Sequence, residues 1–500
     1  MDFGPMLQGM ATVLEPQNLL YCLLGVVVGM LVGVLPGLGP TATIAILLPV
    51  IYGLDPVSAI ILLAGIYYGA QYGGTITSVL LRLPGEASTV VTVFDGFAMT
   101  RQGRAGTALG ISAIASFIGG TGAVILMSIV APIIARFALD FGPPEYTILA
   151  IIGVVLVATM GNGSRLKALI AAVIGLVLAT VGRDIFTGQT RFTFDILEVS
   201  DGIDFVVLAM GIFGVGEILY NLEESLTKPR SPISVSNVWP SRKDVREASG
   251  AIGRGSVIGF LLGILPGGGA TLASLASYAT EKKVAKDPSR FGRGAIQGVA
   301  APEAANNAAA TSSFIPMLTL GIPANAAMAV MLGALLIIGV KPGPTMMETN
   351  PELFWGVVNS MYIGNILLII LAIPLVGLFV RVLRIRATIL APITVLITLL
   401  GVYSVANSTF DILLVIIAGV LGYLMKKLGF EPGPLILAFV LGKILEDTLR
   451  QSLRLFDGNV AGFVTRPISG TLFALLVLVI VGPLIFAWIR RSLSSTKKEG

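Results

Sequence analysis

The segments GVLPGLGPTAT, residues 33–43, and GILPGGGATLA, residues 263–273, decide the fold of this chain. Both read G-x-L-P-G-x-G-x-T, and both lie within apolar sequence. Proline ends a helix and frees carbonyl groups in the preceding turn, while glycine lets the backbone turn and approach a ligand closely. Two copies of so specific a motif indicate an internal duplication, with a broken helix at each tip, residues 36–41 and 266–271.

The composition around these motifs is that of a membrane protein. The chain has 500 residues, of which 55% are hydrophobic and 12% charged, whereas a soluble domain carries about 25% charged residues. A spanning helix needs ~20 residues, which leaves room for about ten to fourteen spans. We predict an all-α polytopic membrane protein with about eleven to twelve spans. Besides the two motifs, we place spans near 56–82, 106–138, 145–161, 165–182, 204–222, 294–340 (broken), 353–379, 387–404, 410–425, 433–449 and 467–489.

Several classes of function are excluded or disfavoured by residue counts. The chain has no His and one Cys, Cys22, which argues against disulfides, transition-metal sites and Cys–His or Ser–His–Asp catalysis. No G-K-[ST] follows either glycine-rich tip, so neither is a phosphate loop. The net charge of +5 sits in short loops, which is typical of membrane topology rather than of nucleic-acid binding. We therefore expect no enzyme, no cofactor and no nucleic-acid partner.

A polar stretch at 221–250 divides the chain into two similar halves. QYGGTIT (71–77) aligns loosely with NAAATSS (307–313), and LRLPGEAS (81–88) with LGIPANAA (320–327), in the same order in both halves. We predict a first repeat at 1–222 and a cytoplasmic linker at 223–250. A second repeat follows at 251–450, and an extra C-terminal span with a cytoplasmic tail at 451–500.

The flanking charges orient the two motifs. The second motif lies between Arg254 and Lys282, and its apolar arms, 252–265 and 271–280, are ~21 and ~15 Å long against a hydrocarbon core of ~30 Å. It is predicted to be a re-entrant hairpin that enters from the cytoplasm. The first motif has no basic flank and should enter from outside. Inverted repeats with broken helices are a secondary-transporter architecture.

The same positive-inside rule assigns two further charged sites. Arg450 and Arg454 count as a cytoplasmic cluster, and Arg82 with Glu86 as a cytoplasmic membrane edge.

The tips are the first candidate binding sites. The helix that resumes after each tip points its N–H groups and partial positive charge at the tip, which suits an anion. Freed carbonyls and threonine hydroxyls can coordinate Na⁺. The alternative is a structural kink at a helix-packing seam. The predicted substrate-binding residues of the tips are Pro36, Gly37, Gly39, Thr41, Thr43, Pro266, Gly267, Gly268, Gly269 and Thr271.

The second candidate region surrounds Glu303, which is the one charged residue between positions 294 and 340. A carboxylate inside a membrane is a functional candidate by default. Its alternative role is as a partner for an arginine or a helix N-terminus, and the small residues around it could serve helix packing alone. We predict that Asn306, Asn307 and Thr311 line a substrate cavity. Glu303, Asn307, Gln71 and Thr75 are the candidates for ion coupling.

Long stretches of this sequence resemble a known family. GVLPGLGPTATIAILLP (33–49), FDGFAMTRQGRAGTALG (94–110), GFLLGILPGGGATLASLASYATEKK (259–283) and the segment 291–344 are similar to the large membrane subunit of the tripartite tricarboxylate transporters, TctA. The resemblance implies a multi-pass permease of the bacterial inner membrane. It also implies a small membrane subunit and a periplasmic solute-binding protein as partners, an organic carboxylate as substrate, and transport driven by an ion gradient.

The resemblance thus implies a permease that imports di- or tricarboxylates with Na⁺ or H⁺. The alternatives are a permease of the same family for another organic acid, such as an aromatic carboxylate or amino acid, and an ion channel. The particular carboxylate, the coupling ion and its stoichiometry, and the oligomeric state are left open.

Overall fold

The computed structural model describes residues 4–35, 39–82, 84–160, 164–184, 186–225, 238–265, 269–382, 387–406, 408–478 and 480–481. The predicted site residues Pro36, Gly37, Pro266, Gly267 and Gly268 lie outside these ranges. The first half consists of helices α1 Gly4–Leu14, α2 Pro16–Val34, α3 Pro40–Ile51, α4 Pro56–Leu81, α5 Thr92–Arg101, α6 Ala105–Ala138, α7 Pro143–Met160, α8 Arg165–Ala179, α9 Phe205–Ala209 and α10 Glu217–Ser225. A π-helical turn, Met210–Gly216, joins the last two, and strands β1 Gly182–Arg183 and β2 Thr190–Arg191 form a short antiparallel hairpin.

The second half also combines long and short helices. It consists of α11 Arg242–Ile264, α12 Gly269–Val284, α13 Gln297–Ser312, α14 Phe314–Leu320, α15 Ala326–Ile337, α16 Met346–Thr349, α17 Pro351–Ala372, α18 Val376–Val382, α19 Ala387–Ala406, α20 Thr409–Lys427, α21 Gly433–Leu455 and α22 Gly462–Thr465. A further apolar helix follows at Pro467–Leu478.

The helices coincide with the predicted spans, with three differences. Helix α1 was not predicted; it packs against α17, where Asn359 donates to the carbonyl of Met6 (2.8 Å). Residues 242–250 of the predicted linker already belong to α11, because Ser241 and Asp244 form a capping box there. The broken span at 294–340 becomes three helices, since Gly321 ends α14 at φ 69° and Asn325 starts α15.

The outer surface of the helices confirms a multi-pass membrane protein. Leu166, Leu169, Val173 and Val177 form an exposed stripe along α8, and α20 carries a similar one. A soluble protein rarely exposes apolar surface on this scale. Within the described ranges, four helices are long and apolar enough to cross a membrane: Pro16–Val34, Ala105–Ala138, Pro351–Ala372 and Thr409–Lys427.

Each motif lies between two helices, and the helix before it docks on a neighbouring helix through evenly spaced glycines. Gly25, Gly29 and Gly33 of α2 face α4, and Gly255, Gly259 and Gly263 of α11 face α13. A Cβ on Gly29 would lie 2.4 Å from the Ile66 carbonyl oxygen, and one on Gly259 2.2 Å from that of Ala305. Only glycine permits this approach of backbone to backbone. The docking places the C-terminal ends of α2 and α11 beside the helices that carry the other candidate residues.

The two helices around the second motif run antiparallel to each other. Arg254 of α11 pairs with Glu281 of α12 through two hydrogen bonds, 2.6 and 2.9 Å long. These residues stand at similar distances in sequence from the motif between them, so α11 and α12 lie side by side in opposite directions.

Contacts beyond α8 hold Arg450 and Arg454 beside the loop that follows this helix. Arg450 pairs with Asp184 (2.9 Å), and both arginines lie over the ring of Phe186. The N–H of Phe186, followed by Arg450, lowers the pKa of Asp184 to about 2 although burial opposes the shift. Asp184 follows the C-terminus of α8, whereas Arg165 lies at its N-terminus. The two basic clusters therefore lie near opposite ends of α8, and the side of the membrane that each one faces stays a prediction.

Candidate functional site

The segment that leads into α13 is anchored by a buried carboxylate. Asp95 of α5 accepts the backbone N–H groups of Gly292, Gly294 and Ala295 (2.8–2.9 Å) and the hydroxyl of Tyr278 (2.9 Å). Backbone donors that would otherwise lack partners are satisfied in this way. Because Asp95 belongs to the first half, it sets the position of the second half's α13 relative to that half.

Glu303 of α13 is fully buried and bonded to residues of both halves. Thr75 Oγ1 donates to its Oε2 (2.6 Å), Thr92 Oγ1 to its Oε1 (2.5 Å), and Asn306 Nδ2 to its Oε2 (3.3 Å). An ionised carboxylate is an acceptor only, and two hydroxyls with one amide are suitable donors. Within the described residues no basic side chain pairs with Glu303. Among these residues, therefore, no arginine fills the alternative role of a structural partner for Glu303.

Asn307 continues this network toward α6. Its Nδ2 atom lies 2.8 Å from Ser116 Oγ, 3.1 Å from the Glu303 carbonyl and 2.5 Å from Asn306 Oδ1. Its Oδ1 atom is buried without a hydrogen-bond partner in the described part of the chain, as is the hydroxyl of Tyr72, which lies within electrostatic reach of Glu303. Buried polar atoms of native proteins are nearly always satisfied. These two oxygens and the carboxylate are therefore candidate ligands for a cation or water.

The remaining polar candidates of the long helices flank this network. Gln71 accepts a hydrogen bond from Ser88 (2.7 Å), and Thr75 also contacts the Gln71 carbonyl (3.3 Å). Thr311 is buried one turn after Asn307 on α13. The structure thus places Glu303, Asn306, Asn307 and Thr75 in one network, with Gln71 and Thr311 a turn away from it.

The described tip residues do not share hydrogen bonds with this network. Gly39, Thr41, Gly269 and Thr271 are partly exposed, and Thr43 is buried with its hydroxyl on the Gly39 carbonyl (3.0 Å). The second tip still lies close to the network, because Ala270 and Ala273 of α12 pack on Ala305 and Ala309 of α13.

Two loops each place a polar side chain near a described residue of one motif, and sequence reasoning missed both contacts. The loop at 84–86 puts Glu86 against the first tip: a Cβ on Gly39 would lie 2.9 Å from Glu86 Oε2. The loop at 323–325 puts Asn325 beside the second tip, 4.0 Å from a Cβ on Gly269. Residues 84–91 fold back over α4, where Ser88 and Thr89 bond to Gln71 and Gly74; the assignment of Glu86 to a membrane edge stays a prediction. The alignment of LPGE with IPAN was the signal that could have found both residues.

Comparison with known proteins identifies the family. The sequence profile of the tripartite tricarboxylate transporter TctA family matches residues 19–437. The chain belongs to this family. Its proteins are the large membrane subunits of tripartite tricarboxylate transporters, which work with a small membrane subunit and a periplasmic binding subunit.

Two similar proteins come from Agrobacterium vitis. One, described as "Uncharacterized 52.8 kDa protein in TAR-I ttuC' 3'region", is 49% identical over 466 residues, which are 93% of both chains. The other, described as "Uncharacterized protein in TAR-II ttuC' 3'region", is 51% identical over 224 residues, 45% of this chain and 93% of its own. No solved structure gives a significant match.

Proposed function

We propose that this TctA-family chain is the permease of a binding-protein-dependent secondary transporter in the bacterial inner membrane. It imports an organic di- or tricarboxylate with Na⁺ or H⁺, together with a small membrane subunit and a periplasmic solute-binding protein. The observation that carries the proposal is the Glu303 network. Glu303 is a buried carboxylate without a basic partner among the described residues. The unpaired oxygens of Asn307 and Tyr72 belong to the same region, and the start of α12 packs on the same helix. Such a group of oxygens is suited to binding a mobile cation.

An inverted repeat is supported by the way the halves pack. Helices α9 and α10, with the turn between them, pack on α20 and α19, while α21 packs on α7 and α8. Each half contributes three successive helical segments to this region: α7, α8 and α9–α10 from the first half, and α19, α20 and α21 from the second. The third segment of each set thus packs on the first two segments of the other set. Such an exchange is expected from a two-fold axis in the membrane plane. On this basis, the helix pairs α2–α3 and α11–α12 are proposed to be re-entrant hairpins that enter from opposite sides.

The chemistry of the substrate gives a reason for ion coupling. A helix N-terminus offers only about half a positive charge, so the ends of α3 and α12 alone would hold a polyanion poorly. A cation bound at Glu303 and Asn307 would supply the missing positive charge. The cation and the carboxylate would then bind cooperatively, which is what a symporter needs.

The deciding experiment is uptake by proteoliposomes that contain both membrane subunits. A panel of radiolabelled carboxylates is tested with and without the binding protein, and Na⁺ and pH gradients are imposed separately. Saturable accumulation that requires one gradient and the binding protein supports the proposal. Accumulation of an aromatic carboxylate or amino acid instead would reassign the substrate, and current without saturable uptake would indicate a channel.

Two variants test the site itself. Asn307→Ala should weaken the apparent affinities for substrate and cation together, because the two ligands share one site. Glu303→Gln keeps the shape of the side chain but removes its charge, so uptake should lose its dependence on the driving ion. Wild-type ion dependence in Glu303→Gln would mean that this carboxylate is structural.

A further inference from the structure

A cavity of about 210 Å³ lies between α1, the C-terminal end of α6, α16 and α17. None of the residues that line it belongs to the Glu303 network. Its apolar wall includes Met6, Pro132, Leu139, Met347 and Trp355. An apolar cavity of about 150 Å³ is already large enough to bind benzene, so this one can accept a segment of hydrocarbon chain.

Two charged residues of opposite sign also line the cavity. Arg136 of α6 and Glu348 of α16 are both exposed. None of the ion pairs among the described residues includes either of them. Because Arg136 and Glu348 do not pair with each other, each is available to an opposite charge on a ligand. The cavity thus offers one ligand a cation, a carboxylate and an apolar wall.

The length of α6 places this cavity at the level of the lipid headgroups. The helix is apolar enough to cross a membrane and has 34 residues, which extend over ~51 Å against a hydrocarbon core of ~30 Å. Arg104 and Arg136 bound its uncharged run, so both ends of the helix reach beyond the hydrocarbon. Tryptophan is typical of this level of the membrane, and Trp355 lines the cavity.

The cavity also adjoins the apolar outer surface of the protein. Leu7 follows Met6 on α1, and Ile133 and Phe137 follow Pro132 and Arg136 on α6. All three are exposed, as expected of side chains that face lipid. A ligand that reaches the cavity from the bilayer therefore meets continuous apolar surface.

We propose that this cavity binds a phospholipid with a zwitterionic headgroup, phosphatidylethanolamine. Arg136 binds the phosphate, because a guanidinium can donate two parallel hydrogen bonds to phosphate oxygens. Glu348 accepts hydrogen bonds from the ammonium group, which has three N–H donors. The apolar wall covers part of an acyl chain. An anionic phospholipid that lacks the ammonium group is repelled by Glu348. The site does not depend on the proposed transport function.

Lipid binding to the purified full-length chain tests the assignment. The protein is delipidated in detergent, and native mass spectrometry measures its affinities for added phosphatidylethanolamine and phosphatidylglycerol. Arg136→Gln and Glu348→Gln each remove one charge at an exposed position, and size-exclusion profiles confirm that both variants are folded. Arg165→Gln is the matched control, since Arg165 is likewise exposed at the end of an apolar helix but lies outside the cavity.

The wild type should bind phosphatidylethanolamine at least about fivefold more tightly than phosphatidylglycerol, and Arg136→Gln should lose at least about fivefold in affinity for phosphatidylethanolamine. Arg165→Gln should keep this affinity within about twofold, and Glu348→Gln should bring the affinities for the two lipids within about twofold of each other. Equal affinities in the wild type, an unchanged affinity in Arg136→Gln, an equal loss in Arg165→Gln, or an unchanged preference in Glu348→Gln overturns the proposal.

Two further measurements separate the lipid from other occupants. Free phosphoethanolamine carries the same two charges without acyl chains, and it should not displace the lipid at an equal concentration. If it does, the occupant is a soluble zwitterion and the proposal is wrong. The complex with the small membrane subunit should retain phosphatidylethanolamine. Loss of the lipid from that complex would assign the cavity to the small subunit instead.

Discussion

Replacement of Gly259 by alanine should disrupt the docking of α11 on α13. The added Cβ would lie 2.2 Å from the carbonyl oxygen of Ala305, 2.7 Å from its Cα and 2.8 Å from its carbonyl carbon. All three are backbone atoms, so no change of side-chain rotamer can relieve the clash. The two helices must move apart, and Asn307 lies within one turn of the displaced contact.

The cost can be set against a matched control on the same helix. Overpacking costs about 1–3 kcal/mol, and contact with rigid backbone places this site near the upper value. Alanine is more favourable than glycine in a helix by roughly 0.5–1 kcal/mol, so the net destabilisation by Gly259→Ala is about 2 kcal/mol. Gly253 has nothing within 4 Å of its Cβ position. Gly253→Ala should therefore stabilise the protein by about 0.5–1 kcal/mol, because alanine is the better helix former and meets no clash there.

The assay is thermal unfolding of the detergent-purified protein, followed by size-exclusion of the soluble fraction. The variants should differ by about 3 kcal/mol, which at roughly 2 °C per kcal/mol for a large chain separates their melting temperatures by about 6 °C. Gly259→Ala should also lose uptake, while Gly253→Ala retains it. If Gly259→Ala melts at or above Gly253→Ala, the backbone-to-backbone docking of α11 is wrong.

Cysteines that replace Asp55 and Asp287 in a Cys22→Ala background should react with an impermeant maleimide from outside and from inside, respectively. Labelling of both from one side contradicts the inverted arrangement. Asp184→Asn should lower the melting temperature at neutral pH, and the deficit should shrink as the pH falls from about 4 toward 2. The carboxyl stays ionised in the folded chain down to a pKa of about 2 but protonates near 3.8 when unfolded; a deficit that is equal at all pH values counts against the ion pair. Asp95→Ala should lower stability by at least ~2 kcal/mol, measured by the same melting assay, because it orphans buried N–H groups. A wild-type melting temperature would mean that water replaces the carboxylate.

The long helices were predictable because local signals define their ends. Proline at the first helical position starts α2, α3 and α4, and Asp55 caps α4 with two hydrogen bonds. Apolar runs between charges supplied the rest. Helix α1 escaped prediction because it is short, and it is held by contacts with α17 that no local pattern shows.

The candidate site was predictable only in part. Glu303, Asn306 and Asn307 were conspicuous as polar residues in a long uncharged segment. Thr92 and Ser116 complete their hydrogen bonds, but both come from the other half of the chain. Nothing in the sequence around either residue indicates the partner, since the pairing depends on how α5 and α6 pack against α13.

The proposed two-fold relation also explains why equivalent positions of the two halves differ in charge near the candidate site. By the alignment of the halves, Glu303 corresponds to Tyr67, and Glu86 to Asn325. Each of these pairs contains one acid, and the two acids come from different halves. The bonds cross between halves as well: Glu303 binds Thr92 of the first half, and Tyr67 binds Asn325 of the second. Near a two-fold axis, an acid kept in both copies would face its own equivalent across a region of low dielectric, where two carboxylates repel strongly. A duplicated sequence can therefore conserve its glycines and prolines in both halves, because the backbone needs them twice, but its charges near the axis must diverge.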